Sequence, residues 1–385
     1  RLKLNNADEA QLKEIVDALV AREIGYFVYI GGNDSMDTVD KLSAYIRKHD
    51  IKDLYVMGAP KTIDNDLPMT DHCPGFGSAA KYIATTFTEI VRDCEVYDIP
   101  AVTIVEIMGR NAGWLTAAAA LSRENNGSGP QLIYLCERAF DTDRFIADVK
   151  RCLETKNAVV VAVSEGVKNP DGSYLSESKG RAVDVFGHAA LSGTAKVLEG
   201  LVKEQIGCKV RSIELNLMQR CAAHLASAND LQESRMLGMT AADRALNGQS
   251  GQMAVVIRSQ DEPYRVRYSA EDISLIANLE KKVPDEWINE AGNDVTEEML
   301  SRAAWLQTNP HAHACPLFSV KLCVCSTTFR FSIKRVHAVP SVLVYALTIS
   351  GFSASVKVPS ILHFANAQPS GRYSAKAFPS GTSNP

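Results

Sequence analysis

The feature that most constrains this fold is a regular alternation of apolar strand segments and amphipathic helix segments. The strand segments 26–31, 53–57, 101–107 and 158–164 are short and almost continuously apolar, which is typical of strands buried on both faces of a parallel sheet. Helical patterns separate these segments, and parallel strands need such crossover connections. The sequence therefore predicts an α/β fold with mostly parallel sheets, and ligands are expected at the carboxyl ends of the strands.

The same patterns predict the remaining elements. Ser35 or Asp34 is the expected N-cap of the helix that follows the first strand. The polar stretch 168–181 contains Pro-Asp-Gly and is predicted to be a surface insertion with a hairpin turn. Further strands are expected at 131–136, 209–216, 252–258 and 264–268, and helices at 36–49, 77–93, 114–123, 142–154, 189–205, 231–246 and 271–282.

Composition excludes several classes of protein. With 385 residues, 46% of them hydrophobic, the chain can form a large core and two or three domains. A net charge of -4 does not favour nucleic acid or an anionic membrane as a partner. No apolar run reaches the roughly 18 residues of a membrane span. Nine mostly isolated cysteines suit reduced thiols, so a cytoplasmic location is expected.

Both ends of the sequence are unusual. The chain starts at Arg1, and the amphipathic stretch 7–22 follows almost at once, as if an earlier strand were absent. The segment 307–385 contains no Asp or Glu, although ordinary usage predicts about nine acidic residues in that length. We expect 307–385 to be a non-native or disordered tail, such as a frameshifted translation, without a packed domain.

The tail also contains a group of possible zinc ligands. A zinc site is one interpretation of this spacing, and coincidence in an acid-free tail is the favoured one. The residues are His311, His313, Cys315, Cys323 and Cys325.

Two polar loops follow successive predicted strands. Gly31-Gly-Asn-Asp-Ser35 leads into a helix, and the free N–H groups and dipole of a helix N-terminus favour phosphate. The loop from Gly58 to Asp66 contains Lys61 and a second carboxylate, Asp64, two residues before Asp66, so on extended backbone both carboxylates lie on one face. These residues suit anion and metal chemistry. The alternative is a simple turn with solvated acids.

Five motifs, in this order and with these approximate spacings, resemble the phosphofructokinase family over residues 1–306. The Gly-Gly-x-x-Ser pattern alone is weak, but Pro-x-Thr-Ile-Asp-Asn-Asp together with Met-Gly-Arg is highly specific. The motifs are Gly31-Gly-Asn-Asp-Ser, Pro60-Lys-Thr-Ile-Asp-Asn-Asp66, Val105-Glu-Ile-Met-Gly-Arg110, Glu165-Gly166 and Met218-Gln-Arg220.

The resemblance implies two Rossmann-like, three-layer domains. Residues 1–78 and 225–285 are expected to form the phosphoryl-donor domain, and residues 79–224 and 286–306 the fructose 6-phosphate domain. The family's first strand, with its glycine-rich donor loop, is expected to be missing before Arg1, so that this fragment could be inactive.

The resemblance also implies the reaction and the site. The expected reaction is reversible phosphoryl transfer to the 1-hydroxyl of fructose 6-phosphate, in glycolysis, with Asp64 as the base. Mg²⁺ is the expected cofactor, held by Asp66 and Asn33. Arg110 is expected to stabilise charge. The implied sugar-phosphate ligands are Thr62, Asp64, Met108, Gly109, Arg110, Glu165, Arg211 and Arg220, and the implied donor ligands are Gly32, Asn33, Asp34, Ser35 and Lys61.

Two side chains indicate pyrophosphate as the donor. Members that use ATP carry glycine at the position of Asp34 and usually a small residue at that of Lys61. A carboxylate there would repel the α-phosphate of ATP by roughly 4 kcal/mol at about 4 Å and an effective dielectric of 20. Lys61 would compensate the compact charge of pyrophosphate.

Three residues depart from the family pattern. Asn33 replaces a usual magnesium-contacting aspartate, Ala101 an inter-subunit arginine, and Leu217 a histidine or tyrosine on the sugar. In the family one 6-phosphate arginine comes from a neighbouring subunit, so a homodimer or homotetramer is implied.

The alternatives are an ATP-dependent 6-phosphofructokinase and an inactive sugar-phosphate-binding fragment or regulatory subunit. Glu106 is expected to be structural, and a metal or nucleophile role for His72 and Cys73 is disfavoured.

Overall fold

The computed structural model describes residues 9–96, 98–126, 128–176, 193–261, 263–303, 331–335 and 345–349. The helices are α1 Glu9–Val20, α2 Asn33–Lys48, α3 Phe76–Cys94, α4 Trp114–Ala117, α5 Arg123–Asn126, α6 Thr142–Leu153, α7 Thr194–Gln205, α8 Ala228–Leu246 and α9 Glu297–Ala303. The strands are β1 Tyr26–Gly31, β2 Tyr55–Pro60, β3 Ala101–Ile107, β4 Leu132–Tyr134, β5 Ala158–Ser164, β6 Lys209–Glu214, β7 Gln252–Gln260, β8 Arg265–Asp272, β9 Phe331–Arg335 and β10 Tyr345–Ile349.

The first sheet has the strand order β1-β2-β7-β8. Strands β1, β2 and β7 are parallel, and β8 is antiparallel to β7. Apolar side chains of α1 and α2 cover one face, including Val39 and Leu42. Leu237 and Ala241 of α8 cover the other face. The sheet is therefore the middle of three layers, as the sequence predicted.

The second sheet has the order β4-β5-β3-β6 and is parallel throughout. Phe87 of α3 and Leu115 of α4 pack on one face, and Phe145 of α6 and Leu198 of α7 pack on the other. Strands β3, β4 and β5 are buried on both faces, which explains why they are almost continuously apolar, whereas the edge strand β6 carries charged residues and is largely exposed. The alternation of strands and helices thus gives the predicted α/β class.

Each of the two sheets takes its strands from one of the two predicted domains. The first sheet takes its strands from 26–60 and 252–272, and the second from 101–214. The boundaries near residues 78, 225 and 285 stay a prediction.

One predicted helix is wrong. Residues 271–282 do not form a helix: β8 runs to Asp272, a 3₁₀ turn spans Ile273–Leu275, and an irregular segment follows. Asn278 has a φ of 60°, which lies in the left-handed region that a continuing helix cannot use. The apolar spacing in this stretch is helical, but its backbone bonds go to distant loops instead.

Other differences are smaller. Helix α2 begins at Asn33 with Gly32 at the N-cap position, so Asp34 and Ser35 lie in the first turn and neither is the N-cap. The helix predicted at 114–123 is α4 followed by a 3₁₀ turn, Ala118–Ser122. The Pro-Asp-Gly hairpin is confirmed: the Asn169 N–H donates to the Ser173 carbonyl at 2.8 Å.

Several predictions lie outside the described residues. These include the start of the helix predicted at 189–205, the possible zinc ligands of the tail, and most of the 307–385 tail itself. Within that tail the structure describes β9 and β10, a short antiparallel pair that the sequence pattern did not predict. Among the described helices, none is both long and apolar enough to cross a membrane.

Candidate active site

The glycine loop, residues 31–35, and the acid loop, residues 61–75, lie side by side because they follow the paired strands β1 and β2. The Lys61 N–H donates to the Gly31 carbonyl at 2.8 Å. A Cβ placed on Gly31 would lie 2.0 Å from Ser35 Oγ, and one placed on Gly32 would lie 3.4 Å from Thr62 Cβ. Only glycine at position 31 allows this close turn into α2. The predicted donor residues therefore lie in one place, with Lys61 exposed and Asp34 half-buried in the first turn of α2.

The acid loop is fixed by its own polar groups. The Thr62 N–H donates to the Pro74 carbonyl at 3.1 Å, and the Asp64 N–H donates to Thr62 Oγ1 at 3.1 Å. Asn65 has a φ of 56°, and its Oδ1 accepts a hydrogen bond from the Cys73 N–H at 2.9 Å. The Asn65 side chain is thus structural, and it fixes the backbone between the two acids, Asp64 and Asp66.

Asp66 is an electrostatically costly residue of the site. Its Oδ1 is buried and has no hydrogen-bond partner. Burial first, and then the negative charge of Asp64, raises the pKa of Asp66 to about 6. An ionised oxygen without a donor is unfavourable in a protein interior unless a cation neutralises it. The donor set therefore fits a hard divalent cation.

Asn33, the second predicted metal ligand, is already engaged. Its Oδ1 accepts a hydrogen bond from the Asn278 N–H at 3.1 Å, and its Nδ2 donates to the Leu279 carbonyl at 2.6 Å. A metal role for Asn33 stays a prediction, and it would have to compete with these two bonds. Within the described part of the chain, no group of three or more His, Cys, Asp and Glu side chains has the geometry of a metal site.

The Met-Gly-Arg loop forms the opposite wall of the site, after β3. Gly109 has a φ of 135°, and a Cβ there would lie 2.4 Å from the Ala112 carbonyl oxygen. Ser164 Oγ donates to the Gly109 carbonyl at 2.6 Å. A Cβ on Gly166 would lie 1.9 Å from the Arg110 carbonyl oxygen. Only glycine at 166 lets the two loops pass this closely, so the sheet places Arg110 and Glu165 next to each other.

Glu165 connects the two halves of the site. Its Oε1 accepts a hydrogen bond from the Gly109 N–H at 3.3 Å. Burial raises the pKa of Glu165 to about 7, and the negative charge of Asp64, from the other sheet, contributes to the increase. Asp64 and Glu165 are therefore close enough to repel each other, and the Arg110 guanidinium opposes that effect. A ligand with several hydroxyl groups would find acceptors on both sides.

Sequence reasoning missed the role of Gln219. Its side chain is buried, and its Oε1 accepts a hydrogen bond from the Met108 N–H at 3.1 Å. Its Nε2 donates to the Asn216 carbonyl at 3.1 Å. Gln219 thereby fixes the turn that carries the exposed Arg220 beside Met108. The signal was present in the Met-Gln-Arg motif, where only the arginine had been assigned a role.

Arg211 is not brought to this cluster. It lies on β6 opposite Thr103, four residues before the carboxyl end of β3 at Ile107, or about 13 Å along the strand from the start of the Met-Gly-Arg loop. Its guanidinium is exposed and lies 3.6 Å from the Asp93 carboxylate. Within one chain Arg211 and Arg220 cannot grip the same phosphate. The predicted clamp would need Arg211 from a second subunit.

A buried ionic network joins the acid loop to α8 and β7. The ring of His72 lies 2.9 Å from Asp71 Oδ2 and 2.5 Å from Glu233 Oε2, and Arg258 donates to both oxygens of Asp71. Burial opposes a charge on His72, but its two carboxylate partners outweigh burial and raise the pKa of the ring. Both ring nitrogens are occupied, so His72 is structural. The described cysteines, including Cys73, are free thiols.

Glu106 has the structural role that was expected. It is buried, and its Oε2 accepts a hydrogen bond from the Ala195 N–H at 2.9 Å. Burial raises its pKa, while backbone N–H groups at the start of α7 lower it. The carboxylate therefore joins β3 to the N-terminus of α7.

Comparison with known proteins identifies the family of the chain. The sequence profile of the phosphofructokinase family matches residues 1–245. The chain is 39% identical over 301 residues to the pyrophosphate–fructose 6-phosphate 1-phosphotransferase of Methylococcus capsulatus, which covers 77% of this chain and 71% of that protein. It is 34% identical over 281 residues to the sulfofructose kinase of Alkalicoccus urumqiensis, covering 72% of this chain and 71% of that protein.

A solved structure agrees with these matches. The crystal structure of the pyrophosphate-dependent phosphofructokinase from Marinobacter aquaeolei superposes with a TM-score of 0.69 at 34% identity, over 78% of this chain and 71% of that chain. The resemblance that the five motifs indicated is confirmed.

Proposed function

The chain belongs to the phosphofructokinase family, and on that premise we propose that it transfers a phosphoryl group from pyrophosphate to fructose 6-phosphate. The products are fructose 1,6-bisphosphate and phosphate, in the upper part of glycolysis. The observation that carries the proposal is the pair Asp64 and Asp66 in one loop, with Asp64 electrostatically coupled to Glu165 of the facing sheet. Relatives with this activity are 38–40% identical over about three quarters of the chain.

Asp64 is the proposed general base for the 1-hydroxyl of the sugar. A carboxylate is basic enough because the proton leaves late in a loose transition state. Thr62 Oγ1 accepts a hydrogen bond from the Asp64 N–H, so the hydroxyl proton of Thr62 is free to donate to the transferred phosphoryl group. Glu165, with a pKa raised to about 7, accepts hydrogen bonds from sugar hydroxyls. Arg110 supplies positive charge where negative charge develops.

The family's chemistry uses a divalent metal, and we assign it as Mg²⁺ with Asp66 as its main protein ligand. The buried oxygen of Asp66 that lacks a partner supports this assignment. The metal would neutralise phosphate charge. Asp64, two residues away, would act on the hydroxyl.

Asp34 and Lys61 determine the choice of phosphoryl donor. Asp34 lies in the first turn of α2, where the inner phosphate of a nucleotide would approach the helix N-terminus. Its carboxylate disfavours that phosphate, while Lys61 compensates the compact charge of pyrophosphate. Gly32, Asn33 and Ser35 line the donor side.

The sugar 6-phosphate is assigned to Arg220 and, from a second subunit, Arg211. The exposed position of Arg211 on the edge strand β6 supports a contribution across an interface. The proposed enzyme is therefore a homodimer or homotetramer. The free thiols in the described residues support a cytoplasmic location.

The proposal is tested by steady-state assays of fructose 1,6-bisphosphate formation with pyrophosphate or ATP, beside calorimetric titration with fructose 6-phosphate. We expect turnover with pyrophosphate and little with ATP. Comparable turnover with ATP would overturn the donor assignment, and binding heat without product would indicate a regulatory or inactive sugar-phosphate-binding protein. A third arm uses 6-deoxy-6-sulfofructose, because the 34% identical relative is named a sulfofructose kinase. Preference for the sulfonate would replace the proposed substrate.

A further inference from the structure

We propose that residues 278–283, here called the strap, hold the three site loops in register, and that Lys281 is the positioning residue at its centre. This inference rests on the proposed function for its kinetic consequence only. The strap is the irregular segment that follows β8, and it contacts the glycine loop, the acid loop and the Met-Gly-Arg loop in turn.

The first contact is with the glycine loop and α2. The Asn278 N–H donates to Asn33 Oδ1 at 3.1 Å, and Asn33 Nδ2 returns a hydrogen bond to the Leu279 carbonyl at 2.6 Å. Asn278 Nδ2 also donates to Asp37 Oδ1 at 2.7 Å. The left-handed conformation of Asn278, with a φ of 60°, turns the backbone so that it meets Asn33. The start of the strap is therefore hydrogen-bonded to α2, the helix that begins in the glycine loop.

The second contact is with the acid loop, and Lys281 makes it. Its N–H donates to the Asp66 carbonyl at 2.7 Å. Its ammonium group donates to the Thr70 carbonyl at 2.9 Å and the Asp71 carbonyl at 3.0 Å. Asn65 Oδ1 lies 3.4 Å from the same nitrogen. The three N–H donors of the Lys281 ammonium thus face three acceptors of one loop, so none of them is left to bind a substrate.

The third contact is with the second sheet. Trp114 Nε1 donates to the Lys281 carbonyl at 2.8 Å, and the Lys281 ammonium lies 5.5 Å from the centre of the Trp114 ring. Asn111, directly after Arg110, donates to Glu280 Oε1 at 2.6 Å. The end of the strap is therefore attached to the segment that follows Met-Gly-Arg.

These contacts have a mechanical consequence. Asp64 and Asp66 belong to one sheet and Arg110 to the other, so their relative position depends on what joins the two. The strap makes direct hydrogen bonds to both sides, and Lys281 bonds the acid loop through both its backbone and its side chain. Removing the ammonium would leave buried carbonyls without donors and free the acid loop to move.

The test compares Lys281→Met with Lys282→Met, a matched change at the exposed neighbouring lysine. For Lys281→Met we expect kcat to fall about 100-fold, the usual effect of a displacement near 1 Å in a catalytic group, with the KM for fructose 6-phosphate little changed. We also expect faster amide hydrogen exchange in the acid-loop peptide 62–73 and a change in tryptophan emission. Lys282→Met should match the wild type in all of these measurements.

A milder variant covers the case in which Lys281→Met does not fold. Glu280→Ala removes the exposed hydrogen bond from Asn111, together with a negative charge that contributes to the raised pKa of Asp66. We expect kcat to fall about 3- to 10-fold, as for one lost hydrogen bond. Wild-type kcat and exchange in folded Lys281→Met would overturn the proposal, as would equal losses in Lys282→Met or a change confined to KM. If the wild type shows no turnover, the proposed function fails, and the exchange and fluorescence results still decide the role of the strap.

Discussion

Replacing Asp66 with asparagine should stabilise the folded protein while it removes activity. The Asp66 carboxyl has its pKa raised from 3.8 to about 6. Because one pKa unit is worth about 1.4 kcal/mol, ionised Asp66 costs the folded state about 3 kcal/mol at neutral pH and above. Asparagine has nearly the same shape and carries no charge, so Asp66→Asn should recover much of that free energy. The gain is an expected feature of a functional site that is not optimised for stability.

The stability advantage of Asp66→Asn should increase with pH. The folded pKa of Asp66 is raised, so the folded state binds more protons than the unfolded state between pH 3.8 and about 6. As the pH falls through that window the carboxyl becomes neutral and its cost disappears. The advantage of Asp66→Asn in the free energy of unfolding should therefore be full at pH 8, smaller at pH 6 and absent near pH 4.

The assay is urea unfolding in EDTA at pH 8, 7, 6 and 5, with Asp243→Asn, an exposed carboxylate on α8, as the control. Adding Mg²⁺ should stabilise the wild type and the control but not Asp66→Asn, because only the variant lacks the proposed ligand. An Asp66→Asn protein that is less stable than the wild type at pH 8, or whose advantage is the same at pH 8 and pH 5, would refute the reasoning.

Three further predictions follow from the same structure. Asp34→Gly combined with Lys61→Gly should tighten ATP binding by at least about tenfold, or 1.4 kcal/mol, as measured by calorimetry; unchanged ATP affinity would mean that the charge argument is wrong. His72→Gln should destabilise the protein most near pH 6, because the raised pKa of His72 makes its stabilisation present below about 6.5 and lost as the pH rises through the folded value; equal differences in unfolding free energy at pH 6 and pH 9 would contradict this. Gly166→Ala should lower the unfolding free energy by about 1–3 kcal/mol through overpacking against a carbonyl oxygen 1.9 Å away, whereas Gly200→Ala in α7 should not destabilise, because only its adjacent residues and the backbone of its own helix lie within 4 Å of the added carbon.

The parts of the fold that the sequence predicted are those fixed by local patterns. The predicted bounds of β1, β3 and β5 agree with the structure because a short apolar run favours a strand of a parallel sheet. Strands β3 and β5 are buried on both faces, whereas β1 is an edge strand on which Tyr26 and Ile30 are exposed. The two phosphate-suited loops were predicted because each directly follows a strand, and parallel strands bring their carboxyl ends together. The glycines at 31, 109 and 166 occupy turns that a side chain would block.

The parts that sequence could not predict depend on distant contacts. Residues 271–282 have helical apolar spacing, but Asn278 and Lys281 find hydrogen-bond partners more than 200 residues earlier in the chain. No local pattern reports such partners. The separation of Arg211 from Arg220 depends on the register of β6 against β3, which the sequence does not specify. The lack of a hydrogen-bond partner for the buried Oδ1 of Asp66 depends on how the loop around it packs, so the sequence alone does not predict it.

Phosphorus NMR of the purified chain with Mg²⁺, pyrophosphate and fructose 6-phosphate measures the donor and the product in a single reaction. We predict that the pyrophosphate signal is replaced by inorganic phosphate and the 1-phosphate of fructose 1,6-bisphosphate. Asp64→Asn should abolish this conversion while fructose 6-phosphate still binds. Conversion at an undiminished rate in Asp64→Asn, or conversion with ATP but not with pyrophosphate, would contradict it.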